Sequence, residues 1–262
     1  MWTWKCCRAS VAGFSHLESG LPCQDANQVL IEGDRVIAIV SDGAGSAKHS
    51  DQGSRLLCDE LTLWLREQLL SENAIAVSLL EDEQIKTLIE RALEFVRERV
   101  TALALATGSA IEDYHATLIG VIADATGGAF FHIGDGAGFA ATLGNPRFIS
   151  LSAAENGEYA NETFFFTQNS WREHLRIKRF GREFEFIALM SDGLTSFALD
   201  KTGQEPFDLF FSPLHRFFCE NTEESGTEGL VELLQRDDLR KITGDDKTLV
   251  WLKRISSDVC SC

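Results

Sequence analysis

Three stretches of this sequence close in the same way. IAIVSDGAGS, FFHIGDGAG and IALMSDGLTS each run through apolar, strand-like residues into one small residue and then Asp-Gly, putting Asp42, Asp135 and Asp192 at the ends of buried segments. A fourth acidic stretch, Gly244-Asp245-Asp246, stands directly before the apolar run Thr248–Leu252. One Asp-Gly after a strand reads as a tight turn, and Asp135, with a strand following at once, suits that reading best. Asp42 and Asp192 suit it less: a Gly/Ser-rich loop and a helix follow the first, and Leu-Thr-Ser-Phe follows the second. A carboxylate at the end of a buried strand is held rigidly while its head reaches the rim of the sheet. Several converging there repel one another unless cations offset them. Hard oxygen donors of this kind suit Mg²⁺ or Mn²⁺ rather than zinc. The expected centre therefore rests on Asp42, Asp192 and Asp245, with Asp135 as a turn residue or a further ligand.

The elements that must position these groups follow from hydrophobic periodicity. From Asp51 to Leu70 the apolar residues Leu57, Leu61, Trp64, Leu65 and Leu69 recur every three or four positions. From Gln84 to Thr107 the stripe is Ile85, Leu88, Ile89, Ala92, Phe95, Val96, Val100 and Leu103. Both segments predict helices that pack on one side. A weaker helix is expected near Thr227–Gln235, and an aromatic-rich, partly helical one from Pro206 to Cys219, interrupted at Pro213. Short apolar runs predict strands at Gln28–Ile31, Arg35–Val40, Thr117–Ala123, Ala129–Ile133, Phe139–Leu143, Glu183–Met190 and Thr248–Lys253. Glu32-Gly33-Asp34 reads as a hairpin connection. The runs 117–123, 129–133 and 139–143 read as a meander with turns at Asp124–Gly128 and Gly134–Gly138. The order of strands, two long helices, strands and a mixed tail implies an α+β fold with mainly antiparallel pairing.

Composition bounds the rest. The chain has 262 residues with 44% hydrophobic residues and only four prolines, and no tract reads as a linker, so one compact domain is expected. A formal net charge of −16 repels a phosphate backbone, so nucleic acid is not an expected partner. No run approaches transmembrane length, and Met1–Ser10 lacks a continuous apolar region, so no membrane association is expected. The seven cysteines then belong to a cytoplasmic protein with reduced thiols. Cys6–Cys7 and Cys260–Cys262 could share a zinc ion only if the termini meet, and neither pair has the usual C-x2-C spacing.

The ordered set Cys23-Gln24-Asp25-Ala26, Ser41-Asp42-Gly43-Ala44-Gly45-Ser46, Gly134-Asp135-Gly136, Ser191-Asp192-Gly193-Leu194 and Asp245-Asp246-Lys247-Thr248 resembles the type 2C, metal-dependent serine/threonine protein phosphatases, in a divergent bacterial-like form. The likeness spans about residues 10–253 of a single 1–262 domain. It implies a central sandwich of two antiparallel β-sheets flanked by helices on both outer faces, in α-β-β-α layers. It also implies two Mn²⁺ or Mg²⁺ ions, with Asp42 bridging both, the Gly43 carbonyl beside it, and Asp192 and Asp245 completing one ion. Asp135 matches the position of a weaker third ion. The implied reaction is hydrolysis of phosphoserine and phosphothreonine in proteins. A hydroxide between the ions attacks phosphorus directly, without a phosphoenzyme, in opposition to a Ser/Thr kinase.

The chain departs from that pattern at several positions. Gln24 replaces a frequent glutamate, leaving Asp25 as the nearer charged ligand for the second ion. Ser196 stands where many members have a further aspartate. Ala44 stands where some have a histidine general acid. Gly20 falls where a phosphate-binding arginine is usual, and His16, Lys48 and His49 are either its substitutes or solvated loop residues. His132, inside an apolar strand, reads as a core histidine. The segment Asn156–Phe180 falls at a variable flap, where Phe164–Phe166, Trp171, Arg172, Arg176, Lys178 and Arg179 either meet a phosphoprotein or form a packed strand and a solvated helix. Two other functions stay open: a pseudophosphatase or phosphate-sensing binding module, and a phosphatase of small phosphoesters.

Overall fold

Every residue from Val36 to Val40 is buried, yet the side chains alternate between two interiors. Val36, Ala38 and Val40 pack with Ile119, Val121, Ile187, Leu189, Val250 and Leu252 in one cluster. Ile37 and Ile39 pack with Leu57, Leu61, Ile85, Ile89 and Val96 in another. A strand covered on both faces reads as a continuous apolar run, because successive side chains leave the backbone on opposite sides. That requirement dictates layers: sheet against sheet inside, and helices on each outer face.

The computed structural model describes residues 2–69, 75–142, 149–155, 163–200, 202–203, 205–240 and 242–256. Its strands are β1 (Trp2–Val11), β2 (Ala26–Glu32), β3 (Arg35–Ser41), β4 (Leu118–Asp124), β5 (Gly127–Ile133), β6 (Ala137–Ala141), β7 (Ile149–Ser152), β8 (Arg176–Phe180), β9 (Phe186–Met190) and β10 (Lys247–Ser256). Its helices are α1 (Phe14–Ser19), α2 (Ser50–Leu69), α3 (Asp82–Thr107), α4 (Trp171–His174), α5 (Asp192–Ala198), α6 (Asp208–Glu220), α7 (Glu223–Leu234) and α8 (Asp237–Arg240). Two five-stranded antiparallel sheets run in the orders β1-β10-β9-β6-β7 and β2-β3-β4-β5-β8. α2 and α3 cover the second sheet. The tail helices α5, α6 and α7 cover the first, over Cys7, Ala9, Phe139, Phe186 and Trp251. This is the expected α+β sandwich.

Both long helices fall where the periodicity put them. α3 opens with the Glu81 N–H donating to Gln84 Oε1 at 2.8 Å and closes at Gly108, whose φ of +68° no β-carbon hinders. Three expectations need correction. The predicted meander ends after one hairpin: β4 pairs with β5, but β6 pairs with β7 and β9 in the other sheet. Residues Gly134–Gly136 are thus a crossing between sheets rather than a turn within one. α6 is not interrupted at Pro213. Pro213 is exposed, and Leu209, whose carbonyl loses its partner there, is 79% exposed, so solvent serves that group while Phe211, Leu214 and Phe218 bury the other face. Trp2–Val11, where no strand was expected, forms edge strand β1 along the whole of β10. No helix among the described residues is long and apolar enough to cross a membrane. Cys260 and Cys262 lie outside the described residues.

Candidate metal centre

Asp42 is the first residue beyond β3, and its main chain is fixed from the side. The Thr117 N–H donates to the Asp42 carbonyl at 2.8 Å, the Asp42 N–H donates to Thr117 Oγ1 at 3.1 Å, and Ser41 Oγ donates to the Thr117 carbonyl at 2.7 Å. Gly43 forms an antiparallel bridge to Ala116 and donates its N–H to the Gln24 carbonyl at 3.2 Å. A β-carbon on Gly43 would come within 2.7 Å of the Ser50 carbonyl, so only glycine lets these backbones meet.

Asp135 sits on the crossing between the sheets. Gly134 before it takes a φ of +110°, and a β-carbon on Gly136 after it would lie 2.7 Å from the Met190 carbonyl. The crossing thereby brings Asp135 against the end of β9, where Asp192 begins α5. Thr163 Oγ1 donates to Asp135 Oδ2 at 2.5 Å. One carboxylate oxygen each from Asp42, Asp135 and Asp192 all lie within 4.8 Å of one another. Asp245 is exposed at the edge of this group, its Oδ1 accepting from the Asp246 N–H at 2.9 Å.

Asp25 is buried below the cluster residues. Its Oδ2 accepts from Ser191 Oγ at 2.7 Å and from Thr248 Oγ1 at 2.8 Å. Burial raises the carboxyls of all three deep acids. Asp25 is pushed up to about 6 against the pull of its hydrogen bonds. Asp192 is pushed up to about 7, with the charges of Asp135 and Asp245 adding to burial. Asp42 lies well above the ordinary carboxylate range, through burial and then the charges of Asp25 and Asp192. Asp25 Oδ1, Asp135 Oδ1, Asp192 Oδ1 and Gln24 Oε1 are buried with no hydrogen-bond partner. Unpartnered oxygens of acids that repel one another fit a hard divalent cation with oxygen ligands.

The other sequence candidates are placed more loosely. His16 lies in α1 with Nδ1 held 2.8 Å from Asp246 Oδ1. Lys48 is exposed in the turn after Ala44, and His49 packs on the Tyr114 ring at 5.2 Å. Ser196 is exposed on α5, and Gly20 is the left-handed cap of α1. His132 is fully buried, its Nδ1 3.0 Å from Ser152 Oγ. Of the flap, residues 156–162 lie outside the described residues. Beyond them Phe166 and Trp171 are core, and Arg176–Phe180 is edge strand β8.

Residues that position the centre carried little sequence signal. Asp246 is not a rim carboxylate: it is 2% exposed, and it accepts from the Gly13 N–H at 2.6 Å, the Gln24 N–H at 2.6 Å and His16. Arg176 donates to the Gly134 carbonyl at 3.0 Å and so braces the sheet crossing. The one available hint was the serine before Asp-Gly, shared by Ser41 and Ser191. Both hydroxyls turn out to bond the neighbouring chain at the site.

Comparison with known proteins agrees with this architecture. Residues 12–235 match the family described as Protein phosphatase 2C. The chain is 29% identical over 255 residues to Serine/threonine-protein phosphatase 3 of Escherichia coli (strain K12), covering 94% of this chain and 97% of that one. Its fold resembles the catalytic domain of the serine threonine protein phosphatase PstP, solved in complex with two manganese ions, at a TM-score of 0.62 with 12% identity over 98% of this chain and 100% of that one. It also resembles the serine/threonine phosphatase Stp1 from Staphylococcus aureus, at a TM-score of 0.60 with 16% identity, covering 96% of this chain and 95% of the other.

Proposed function

This chain belongs to the protein phosphatase 2C family, and on that premise we propose that it hydrolyses phosphoserine and phosphothreonine in proteins, using Mn²⁺ or Mg²⁺ held at Asp42, Asp135 and Asp192. The observation that carries the metal assignment is the meeting of these three carboxylates, with the Oδ1 atoms of Asp135 and Asp192 buried and unpartnered. When bound, divalent ions supply Lewis-acid chemistry, lowering the pKa of a water and offsetting phosphoryl charge, so no phosphoenzyme is required.

The chain's own residues do the positioning. Asp42 and the Gly43 carbonyl would serve two ions, with Asp192 and Asp245 on one of them, and Asp135 would hold a third or share the first two. Asp25, tied by Ser191 and Thr248 through Oδ2 alone, keeps Oδ1 for the second ion in the absence of an acid at Gln24. Lys48 is our choice to meet the phosphate, because it is exposed in the turn just past Asp42, whereas His16 already serves Asp246 and His49 packs on Tyr114. Residues 1–262 act as one phosphatase domain in the cytoplasm, on phosphoproteins made by a Ser/Thr kinase.

Hydrolysis of p-nitrophenyl phosphate and of a phosphothreonine peptide, with Mn²⁺ and with chelator, tests this reading. The expected result is turnover of both substrates with metal and none with chelator, lost in Asp42→Asn and Asp192→Asn. Turnover of the small ester alone would replace the protein substrate with a small phosphoester. A wild type no faster than its variants would leave a binding module.

A further inference from the structure

On the outer face of the β1-β10 edge, α6 brings together ionisable side chains that the carboxylate centre does not use. His215 and Cys219 stand one helical turn apart, on the same face. His215 Nε2 lies 3.3 Å from Cys219 Sγ, and Lys253 on β10 donates from Nζ to the same sulfur at 3.0 Å. Lys253 faces Lys5 directly across the β1-β10 ladder, an unfavourable pairing of like charges. Lys5 is turned to the Asn221 carbonyl. Among the described residues, the hydrogen-bond acceptor of the Lys253 ammonium is the Cys219 sulfur.

The tautomer of His215 follows from its surroundings. Its ring is held between Phe186 at 4.6 Å and Trp251 at 5.5 Å, and Nδ1 is buried with no partner. A buried N–H without an acceptor is costlier than a buried lone pair. The proton of the neutral ring therefore belongs on Nε2, facing the sulfur. Cys219 thus receives two N–H donors, an arrangement that suits a thiolate, because a thiol sulfur is a weak acceptor. The C-terminal dipole of α6 opposes negative charge in its last turn, but that effect is modest beside an ammonium in direct contact. The other described thiols are held back by burial. Cys6 is pushed up to about 12 and Cys7 to about 11, and Cys23 and Cys58 are also raised.

We propose that Cys219 is a thiolate held by Lys253 and His215, and that this half-buried sulfur is a modification site for soft electrophiles, hydrogen peroxide in particular. In the peroxide step the sulfur attacks one oxygen and the O–O bond breaks. The sulfur loses two electrons and becomes a sulfenic acid, and the departing hydroxide takes a proton to leave as water. This proposal stands apart from the phosphatase reading and survives its failure.

Iodoacetamide labelling of the full chain near neutral pH, followed by peptide mass spectrometry, tests it. Cys219 is expected to label roughly tenfold faster than glutathione and faster than Cys6, Cys7, Cys23 and Cys58. Lys253→Met and His215→Gln should each slow that labelling several-fold with the circular dichroism unchanged. Peroxide followed by dimedone should tag Cys219 first. Cys219 labelling no faster than glutathione, or at a rate indifferent to both substitutions, overturns the proposal. Should Lys253→Met fail to fold, the ultraviolet thiolate absorbance of wild type minus Cys219→Ser decides: its absence near neutral pH overturns the proposal.

Discussion

Ser191 Oγ donates to Asp25 Oδ2 at 2.7 Å, joining two residues 166 positions apart in the chain. Ser191 lies between β9 and Asp192, the first residue of α5, and Asp25 directly precedes β2, which pairs with the strand β3 that leads into Asp42. The bond therefore ties the two sheets together at the end where the carboxylates meet. Ser191→Ala removes one of the two hydroxyls on a buried acid, and the loss is expected to cost about 1–3 kcal/mol. Urea denaturation with chelator present measures it, and a change below about 0.5 kcal/mol would show that Thr248 alone suffices.

Asp42 and Asp192 hold carboxylates that burial and mutual charge make unfavourable in the metal-free protein. Replacing one acid by its amide relieves that repulsion. Asp42→Asn should melt above wild type in chelator and below it at saturating Mn²⁺, where only the intact site gains the linkage energy of about 2.7 kcal/mol at a hundredfold excess over Kd. Thermal scans of both proteins under both conditions check this crossing. Parallel curves without a crossing would mean that Asp42 does not bind the ion.

The strand ends bearing Asp42 and Asp192 were legible because a strand buried on both faces leaves an unbroken apolar run, and Asp-Gly stops it visibly. Helices α2 and α3 were legible for the same reason, in their one-sided stripes. What was not legible depends on partners distant in sequence. Gly134-Asp135-Gly136 has the composition of a hairpin turn, and only the pairing of β6 with β9 makes it a crossing that delivers Asp135 to the site. β1 alternates in two phases, Trp2–Cys6 and then Cys7–Val11, because Trp4 and Cys6 pack toward the facing sheet while Cys7, Ala9 and Val11 pack under the tail helices. Asp246 reads like a second rim acid beside Asp245, since its partners Gly13, His16 and Gln24, at the other end of the chain, cannot be seen in its neighbours.

The difference between these adjacent acids is testable. Asp246→Asn places an amide donor against N–H groups of Gly13 and Gln24, both at 2.6 Å, and is expected to destabilise the fold by roughly 3–5 kcal/mol. Asp245→Asn, at an exposed position, should leave stability within about 0.5 kcal/mol and weaken Mn²⁺ binding instead. Denaturation and calorimetric titration of the two variants separate the roles. An unchanged Mn²⁺ affinity in Asp245→Asn would remove Asp245 from the ligand set.

Gly193 controls how closely α5 approaches the start of β10. A β-carbon there would come within 1.9 Å of the Asp246 carbonyl and 3.5 Å of Asp245 Cβ. Gly193→Ala must push these segments apart, at a cost of about 1–3 kcal/mol. Because Asp192 and Asp245 ride on the two segments, Mn²⁺ affinity should fall as well. Gly203→Ala, strained by its φ of +67° but with open space around it, is the control: a similar loss of stability with metal affinity intact.

His215 makes acid sensitivity a local property of α6. Its pKa is lowered from 6.5 to about 4, first by burial between aromatic rings and then by the charge of Lys253. A thiolate at Cys219, whose sulfur lies 3.3 Å from Nε2, acts the other way, so Cys219→Ser is the background in which this depression is read. The unfolded chain takes up the proton near 6.5 and the folded chain only near 4, so between these values the unfolded state binds more protons. Stability from this group is complete above about pH 6.5, declines as the pH falls, and is gone below about pH 4, a change of roughly 3 kcal/mol. His215→Gln loses packing at every pH but not this slope. Denaturation curves of Cys219→Ser with and without His215→Gln should therefore converge as the pH is lowered from neutrality to about 4. A gap that stays constant would mean that His215 is protonated in the folded protein near its ordinary pKa.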